Sequence, residues 1–105
     1  MKLVTKKIAQ DFARQGSVRE KAIQDIKIIA KFFNPGGSGT WYAVEFDPET
    51  GIFYGYVTDL GFNELGSFAL AELEEFRGRF GLGIERDMYF GNNHTLHEVL
   101  NGARP

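Results

Sequence analysis

The chain has 105 residues, a net charge of −2 and no cysteine. This length suits one domain rather than two, and we predict a single domain over residues 1–105. The lack of cysteine excludes a disulfide framework, a thiol nucleophile and a zinc site with sulfur ligands. No apolar run approaches the roughly 18 residues of a spanning helix, and the first residues lack a signal-peptide pattern. We therefore expect a cytoplasmic protein with no membrane partner.

The charge is divided unevenly along the chain. The first 31 residues hold eight basic and three acidic side chains, a balance of +5, so the remaining 74 carry −7. A basic N-terminal region favours an acidic protein or a nucleic acid as its partner. An ordinary solvated surface explains the same charges without any partner, and this alternative stays open.

Three segments show the patterns of helices. The first, over residues 3–15, carries an apolar stripe at helical spacing, with Thr5 placed to cap its start and Gly16 placed to end it. A shorter helix is predicted over residues 70–77. A third begins after Thr95, where the sequence Thr-Leu-His-Glu has the form of a capping box.

Four segments have the alternating or β-branched character of strands, namely residues 26–33, 40–46, 52–59 and 84–90. Between the second and third, the turn 47–51 has the proline and the closing glycine of a hairpin connection. Residues 60–67 are predicted to form a loop. The resulting order favours an α+β domain, in which an antiparallel sheet of about four strands is packed with the N-terminal helix and two short helices.

The hairpin pattern also assigns side chains to faces of the sheet. Strict alternation predicts one face with Tyr42, Val44 and Phe46 and an opposite face with Trp41, Ala43 and Glu45. Gly55, in the middle of the third strand, indicates either space for a large neighbour or a β-bulge. An ionised Glu45 within a strand must be exposed or paired, and Arg86 or Arg79 is a candidate partner.

Two tyrosines invite comparison with nucleic-acid readers. Tyr54 and Tyr56 have the alternate spacing of the aromatic residues that stack bases in RNA-recognition motifs. The basic residue that should precede them is missing, and the order of helices and strands differs from that fold. Core or cross-strand aromatic packing explains the pair more simply, and base stacking stays open as the alternative.

The histidines offer little for a metal site. His94 and His97 are the chain's two histidines, and a third ligand would have to come from Glu98 or Asp87. Since His94 precedes the helix that Thr95 begins, the two imidazoles need not share a face. The glycine-rich segments lack the features of phosphate-binding loops. We predict no metal and no cofactor.

Four segments of the chain resemble a known family. They are Thr40–Asp47, Phe53–Val57, Glu64–Glu74 and Gly81–Phe90, of which Trp-Tyr with Glu-Phe-Asp and Glu-Arg-Asp-x-Tyr-Phe are the most specific parts. The chain resembles small single-domain bacterial proteins known only as a domain of unknown function, often carried on plasmids, conjugative elements and phages. The resemblance covers residues 26–91. It departs from the family pattern at Ala69, where serine is usual, and at Arg79, where proline is usual.

The resemblance implies a shared fold and a mobile-element setting, and it supplies no activity. Four residues lie in the family-like segments and are candidate site residues: Trp41, Glu45, Arg86 and Asp87. A strand glutamate and a strand arginine in so small a fold suggest an ion pair, and we predict one between Glu45 and Arg86. Tyr54 and Tyr56 complete the set of candidate binding residues.

These observations favour a non-enzymatic binding or accessory module of a mobile genetic element. It would contact protein or nucleic acid through the sheet face or the basic N-terminal region. A small hydrolase-like enzyme with a pocket around Trp41, Glu45 and Arg86 is the alternative from another class. An inhibitor of a host defence protein is a third, supported by the resemblance alone. A free sheet edge could also pair with a second copy to form a homodimer.

Overall fold

The computed structural model describes residues 1–105, arranged around one five-stranded antiparallel sheet. The strands are β1 (Ala30–Phe33), β2 (Thr40–Asp47), β3 (Ile52–Thr58), β4 (Glu64–Ala69) and β5 (Glu85–Arg86), in the spatial order β4-β3-β2-β1-β5. The helices are α1 (Lys6–Gln15), α2 (Leu70–Glu75) and α3 (Leu96–Leu100), and short 3₁₀ turns cover Ile23–Asp25 and Arg79–Gly81. The α+β class and the antiparallel sheet with three helices are confirmed.

The strands differ from the predicted ones in three places. β4 lies where a loop was expected over residues 60–67. Its exposed Glu64, Leu65 and Ser67 and its interior Gly66 do not show the alternation of apolar and polar residues that predicts a strand. β1 begins at Ala30 rather than at residue 26, since a 3₁₀ turn and an isolated bridge from Lys27 to Thr95 occupy the residues before it. β5 has two residues instead of seven, because the Asp87 side chain accepts a hydrogen bond from Tyr89 N and turns the chain away.

Helix α1 is bounded by the two residues that the sequence indicates. The Thr5 hydroxyl accepts a hydrogen bond from Ile8 N at 3.2 Å, and Gly16 ends the helix with a φ of 67°. The helix starts at Lys6, later than predicted, because Thr5 is its cap. Phe12 is buried against the sheet and orients the whole helix on it.

A β-bulge in β2 changes which face its side chains reach. Ala43 pairs with Gly55 and Glu45 pairs with Tyr54, so Val44 is the extra residue between two paired positions. The bulge moves Phe46 onto the face of Trp41 and Ala43, and it moves Glu45 onto the face of Tyr42. The strict alternation predicted for residues 40–46 therefore holds through Val44 and is wrong for Glu45 and Phe46.

Each face of the sheet carries its own buried core. On the first, which we call the α1 face, α1 and α2 cover a cluster built from Leu3, Phe12, Ala30, Phe32, Ala43, Phe53, Leu73 and Ile84. On the second, the α3 face, α3 and the 17–28 segment cover Val18, Ile26, Ile28, Tyr42, Val44, Leu96 and Val99. Tyr42 is buried with its hydroxyl donating to Pro105 O at 3.2 Å, and burial raises the pKa of this phenol.

Helix α3 begins with the capping box that the sequence predicts. The Thr95 hydroxyl accepts from Glu98 N, and a Glu98 carboxylate oxygen accepts from Thr95 N at 3.1 Å. The other carboxylate oxygen lies 3.2 Å from His94 Nδ1. Hydrogen bonding to the His94 side chain, and then to the Thr95 backbone, lowers the pKa of Glu98 from its usual value.

This arrangement predicts an acid-sensitive α3. Because the pKa of Glu98 is lower in the folded chain, its stabilising contribution is fully present above the usual carboxyl pKa of about 4.3 and is lost as pH falls through the folded value. We expect the wild-type melting temperature to fall more steeply below about pH 4.3 than that of Glu98→Gln, which cannot titrate. Parallel slopes for the two proteins in thermal melts over this range would contradict the assignment.

Candidate functional site

The candidate residues from the sequence do not converge on one place. Trp41 and Arg86 lie on the α1 face, since each is paired with Phe32, which is buried there. Glu45, Tyr54 and Tyr56 lie on the α3 face. A pocket around Trp41, Glu45 and Arg86 is not formed, because the sheet itself separates the glutamate from the other two.

The predicted Glu45–Arg86 pair is wrong, and each group has another partner. Glu45 Oε1 accepts a hydrogen bond from Val18 N at 2.9 Å, which holds the segment after α1 against the sheet. Arg86 Nη1 donates to Lys2 O at 2.8 Å and to Leu3 O at 3.3 Å. Arg86 thereby fastens the N-terminal residues over β5, and both charges serve the fold.

Substitutions at Glu45 should separate this structural role from a catalytic one. Glutamine keeps an oxygen that accepts from Val18 N, so Glu45→Gln should change the free energy of unfolding by less than about 0.5 kcal/mol. Glu45→Ala leaves the Val18 N–H without its partner and should cost about 1–2 kcal/mol. Urea denaturation of the three proteins measures both values; equal losses for the two variants would contradict the assigned bond.

Asp87 and the two tyrosines are likewise held by neighbours. Asp87, which follows β5, forms an ion pair at 3.5 Å with Lys31 of the adjacent strand β1. Tyr54 and Tyr56 are half-buried and pack against the α3-face core. The Arg104 guanidinium carbon lies 5.9 Å from the centre of the Tyr56 ring, so this ring already has a cation over it.

The basic side chains of α1 are partly neutralised. Asp11 lies between Lys7 and Arg14 and accepts hydrogen bonds from them at 2.9 and 2.8 Å. The bond from Lys7 is the main reason that the pKa of Asp11 is lowered, and the bond from Arg14 acts in the same direction. Gln15 follows Arg14 at the end of the helix. Its side-chain amide accepts a hydrogen bond from Lys27 N and donates to Lys27 O and Val44 O, which fixes the end of α1 against the sheet.

The α1 face contains an apolar cleft beside Trp41, which we call the Trp41 cleft. Its volume is about 340 Å³, and its apolar walls are Trp41, Leu60, Phe68, Leu73, Phe76 and Ile84. Glu72 is the charged residue among its lining residues. The half-buried indole makes no hydrogen bond within the protein, so its N–H can donate to a ligand.

Gly39 gives the indole its place in the Trp41 cleft. The φ of Gly39 is 118°, and a Cβ atom there would lie 2.9 Å from Leu60 Cδ2 and 3.1 Å from Trp41 Cη2. Only glycine adopts this backbone readily and leaves room for both side chains. The Asn34–Gly39 turn therefore shapes one end of the cleft.

Phe76, one wall of the Trp41 cleft, is partly exposed, and two further phenylalanines of the chain also lie in solvent. Phe62 and Phe76 are 49% and 39% exposed, and Phe80, in the turn after α2, is 87% exposed. Phe80 has a φ of 61°, in the left-handed region that non-glycine residues rarely adopt. An apolar cleft with a partly exposed aromatic wall is typical of a surface that binds another protein.

Most residues that line the cleft come from an interval of the chain without basic side chains, which Arg77 and Arg79 follow directly. Residues 32–76 contain no lysine, arginine or histidine. Eight carboxylates lie within them: Glu45, Asp47, Glu49, Asp59, Glu64, Glu72, Glu74 and Glu75. This 45-residue interval without a basic residue is visible in the sequence itself. The charge balance of residues 1–31 against the rest of the chain showed only the net charge that results from it.

The α3 face has a second, larger groove of about 780 Å³. Glu45 and Tyr54 contribute to its floor, and Leu65 of β4 lies at its outer side. Arg19 and Lys21 lie on its opposite rim, on the segment after α1. Depressions therefore flank β4 on both faces of the sheet, an apolar one on the α1 face and one with mixed apolar and charged walls on the α3 face.

Two further features bear on the kind of protein. No three histidine, cysteine or acidic side chains lie close enough together to hold a metal ion. No helix combines the length and the apolar character that crossing a bilayer requires.

The fold and these surfaces define a small α+β domain with an acidic, partly apolar sheet region. The chain matches the family model described as "Protein of unknown function (DUF2958)" over residues 3–105, and it belongs to that family. The match includes the N-terminal helix, which lay outside the resemblance recognised over residues 26–91. No curated protein matches the chain. No solved structure matches it.

Proposed function

We propose that this chain is a non-enzymatic protein-binding module and that the Trp41 cleft is its recognition site. The observation that carries the proposal is the apolar cleft itself, lined by the half-buried Trp41 and by the partly exposed Phe76. Aromatic side chains in a concave apolar site are the groups that contribute most to binding energy at protein interfaces.

Charge favours a protein over a nucleic acid as the partner at this surface. Glu72 is the charged residue of the cleft lining, and residues 32–76 supply no lysine or arginine with which the cleft could bind a phosphate backbone. Tyr54 and Tyr56 pack against the α3-face core, and Arg104 already lies over the Tyr56 ring, so these rings offer little surface for base stacking. The partner we propose presents apolar side chains flanked by lysine or arginine.

We place this activity in the bacterial cytoplasm, in the mobile-element setting that the family resemblance implies. A host defence protein with an exposed basic and apolar segment is one partner of this kind. Lys7 and Arg14 of α1 do not line the cleft; they lie beside Lys27 and Asn92 and contribute to solubility.

Selection from a displayed library of random peptides tests the proposal. We expect the selected sequences to combine apolar residues with lysine or arginine and to be poor in acidic residues. Trp41→Ala and Phe76→Ala should each weaken a selected peptide roughly tenfold or more, the usual loss when a central aromatic residue is truncated. Isothermal titration with purified variants gives these values.

The matched control is Tyr89→Ala, which removes an aromatic side chain that is 97% exposed and lies past β5, at the opposite edge of the sheet from β4. It should leave the affinity unchanged. Selected peptides without basic residues, or equal losses for Tyr89→Ala and the cleft variants, would contradict the proposal.

A further inference from the structure

The two edges of the sheet are protected very differently. At one edge, β5 has only two residues, and the N-terminal segment covers it: Met1 Sδ accepts from Arg86 N at 3.1 Å, and Lys2 O accepts from the Arg86 side chain. At the other edge, β4 has six residues and pairs with β3 alone. Its sequence contains no lysine, no proline and no bulge, the usual devices that block an edge strand.

The hydrogen-bond alternation identifies which groups of β4 are free. Leu70 N donates to Gly51 O at 2.8 Å, and the same register pairs Phe53 with Phe68 and Gly55 with Gly66. Since hydrogen-bonded pairs alternate along an antiparallel ladder, β4 bonds to β3 through Gly66 and Phe68. The N–H and C=O groups of Leu65 and Ser67 therefore point away from the sheet, and no other segment bonds to them.

Side chains on both sides of this open edge are placed to receive a further strand. Phe68 lies on the α1 face and forms a wall of the Trp41 cleft. Leu65 and Ser67 lie on the α3 face and line the larger groove there. Because side chains alternate along a strand, one added segment would send successive side chains to the cleft and to the groove.

We propose that the partner segment binds as an extended strand added to β4, with its backbone bonded to Leu65 and Ser67. This inference rests on the proposed function and names its binding mode. The occupant is a segment of another protein that is apolar at successive positions and carries lysine or arginine at its ends. Carboxylates lie towards both ends of this edge, since Glu64 begins β4 and Glu72 of the following α2 lines the Trp41 cleft. They favour a segment with basic ends over a second copy of this chain, whose β4 has no lysine or arginine to pair with them.

Amide hydrogen exchange followed by NMR tests the binding mode directly. The probe is a synthetic peptide of alternating valine and phenylalanine with lysines at both ends. In the free protein the amides of Leu65 and Ser67 should exchange quickly, and those of Gly66 and Phe68 slowly. The bound peptide should slow the first two, whereas methylation of its backbone nitrogens on the side that meets β4 should weaken binding roughly tenfold or more.

The matched protein variants are Ser67→Pro and Ser67→Ala. Proline removes an outward N–H that no strand of the protein uses, so it should keep the circular dichroism spectrum of the wild type and lose roughly tenfold in affinity, whereas alanine should bind normally. If Ser67→Pro does not fold, the N-methylated peptides test the same backbone hydrogen bonds with the wild-type protein.

The outcomes separate this inference from the proposed function. Peptide binding that shifts the Trp41 indole resonance but leaves the Leu65 and Ser67 amides in fast exchange would overturn strand addition and keep the cleft as a binding site. Slow exchange of these amides in the free protein that depends on protein concentration would overturn it in favour of pairing between copies. A peptide that binds nowhere, together with an unsuccessful library selection, would overturn both.

Discussion

Gly55→Ala should destabilise the domain by about 3 kcal/mol or more, the range reached when a substitution forces the backbone to move. An alanine Cβ at this position would lie 2.0 Å from Tyr42 O and 2.9 Å from Ala43 Cα. Both contacts are with backbone atoms at the β2 bulge, so no rotation of a side chain can relieve them. Urea denaturation followed by circular dichroism gives the loss directly.

Gly66→Ala is the matched control. Gly66 is paired with Gly55 across the β3–β4 ladder, but a Cβ atom there would meet no atom within 4 Å, and its φ is not positive. Its effect on the free energy of unfolding should stay within about 0.5 kcal/mol, or be slightly favourable because alanine has less freedom in the unfolded chain. Similar losses at the two glycines would contradict the assigned bulge.

Phe53→Ala should have a comparable effect for a different reason. The fully buried Phe53 ring lies at the centre of the α1-face core, with ring centroids 4.5 Å from Phe46, 5.2 Å from Phe32 and 5.2 Å from Phe68. Truncating a buried phenylalanine typically costs about 3–5 kcal/mol, a large part of the roughly 5–15 kcal/mol that a domain has.

The control for Phe53 is the same substitution at Phe80, whose ring is 87% exposed. Phe80→Ala removes no buried contact and should leave the free energy of unfolding within about 0.5 kcal/mol of the wild type. Thermal melts of the two variants would show a large fall for the first and little change for the second. A fall of similar size for both would mean that the 79–81 turn is packed in the domain in solution.

The parts of the fold that were predictable are those governed by local patterns. The hairpin of β2 and β3, the Thr5 and Thr95 caps and the Gly16 end of α1 follow from turn and capping residues close together in sequence. The strand β4 was missed because ELGSFA has weak alternation and an interior glycine. Its pairing with β3 depends on tertiary contacts that a local pattern does not contain.

The site was less predictable because one extra residue in β2 moves the side chains after it to the opposite face of the sheet. Val44, as the bulge residue, places Glu45 on the α3 face, so the pair with Arg86 could not form. Gly55 signalled the irregularity, and the sequence offered a bulge as one of two explanations. Its position, opposite Ala43, is set by the packing of both sheet faces.

The Trp41 cleft shows the same limit. Trp41 was singled out from the sequence, but its companions Phe68, Phe76 and Leu60 come from three separate segments. The acidic interval over residues 32–76, in contrast, needs no structure to be seen. The charge distribution can therefore be read from the sequence alone, whereas the apolar cleft required the fold.

The central claim is that the Trp41 cleft binds apolar segments with basic flanks, and the chain's one tryptophan reports on it. We would titrate the protein with the lysine-flanked valine and phenylalanine peptide and with the same peptide flanked by glutamate, following the emission of Trp41. The account predicts a blue shift with the lysine-flanked peptide, an affinity that falls as salt is raised, and no shift with the glutamate-flanked one. No shift with the lysine-flanked peptide, or equal binding of both, would contradict it.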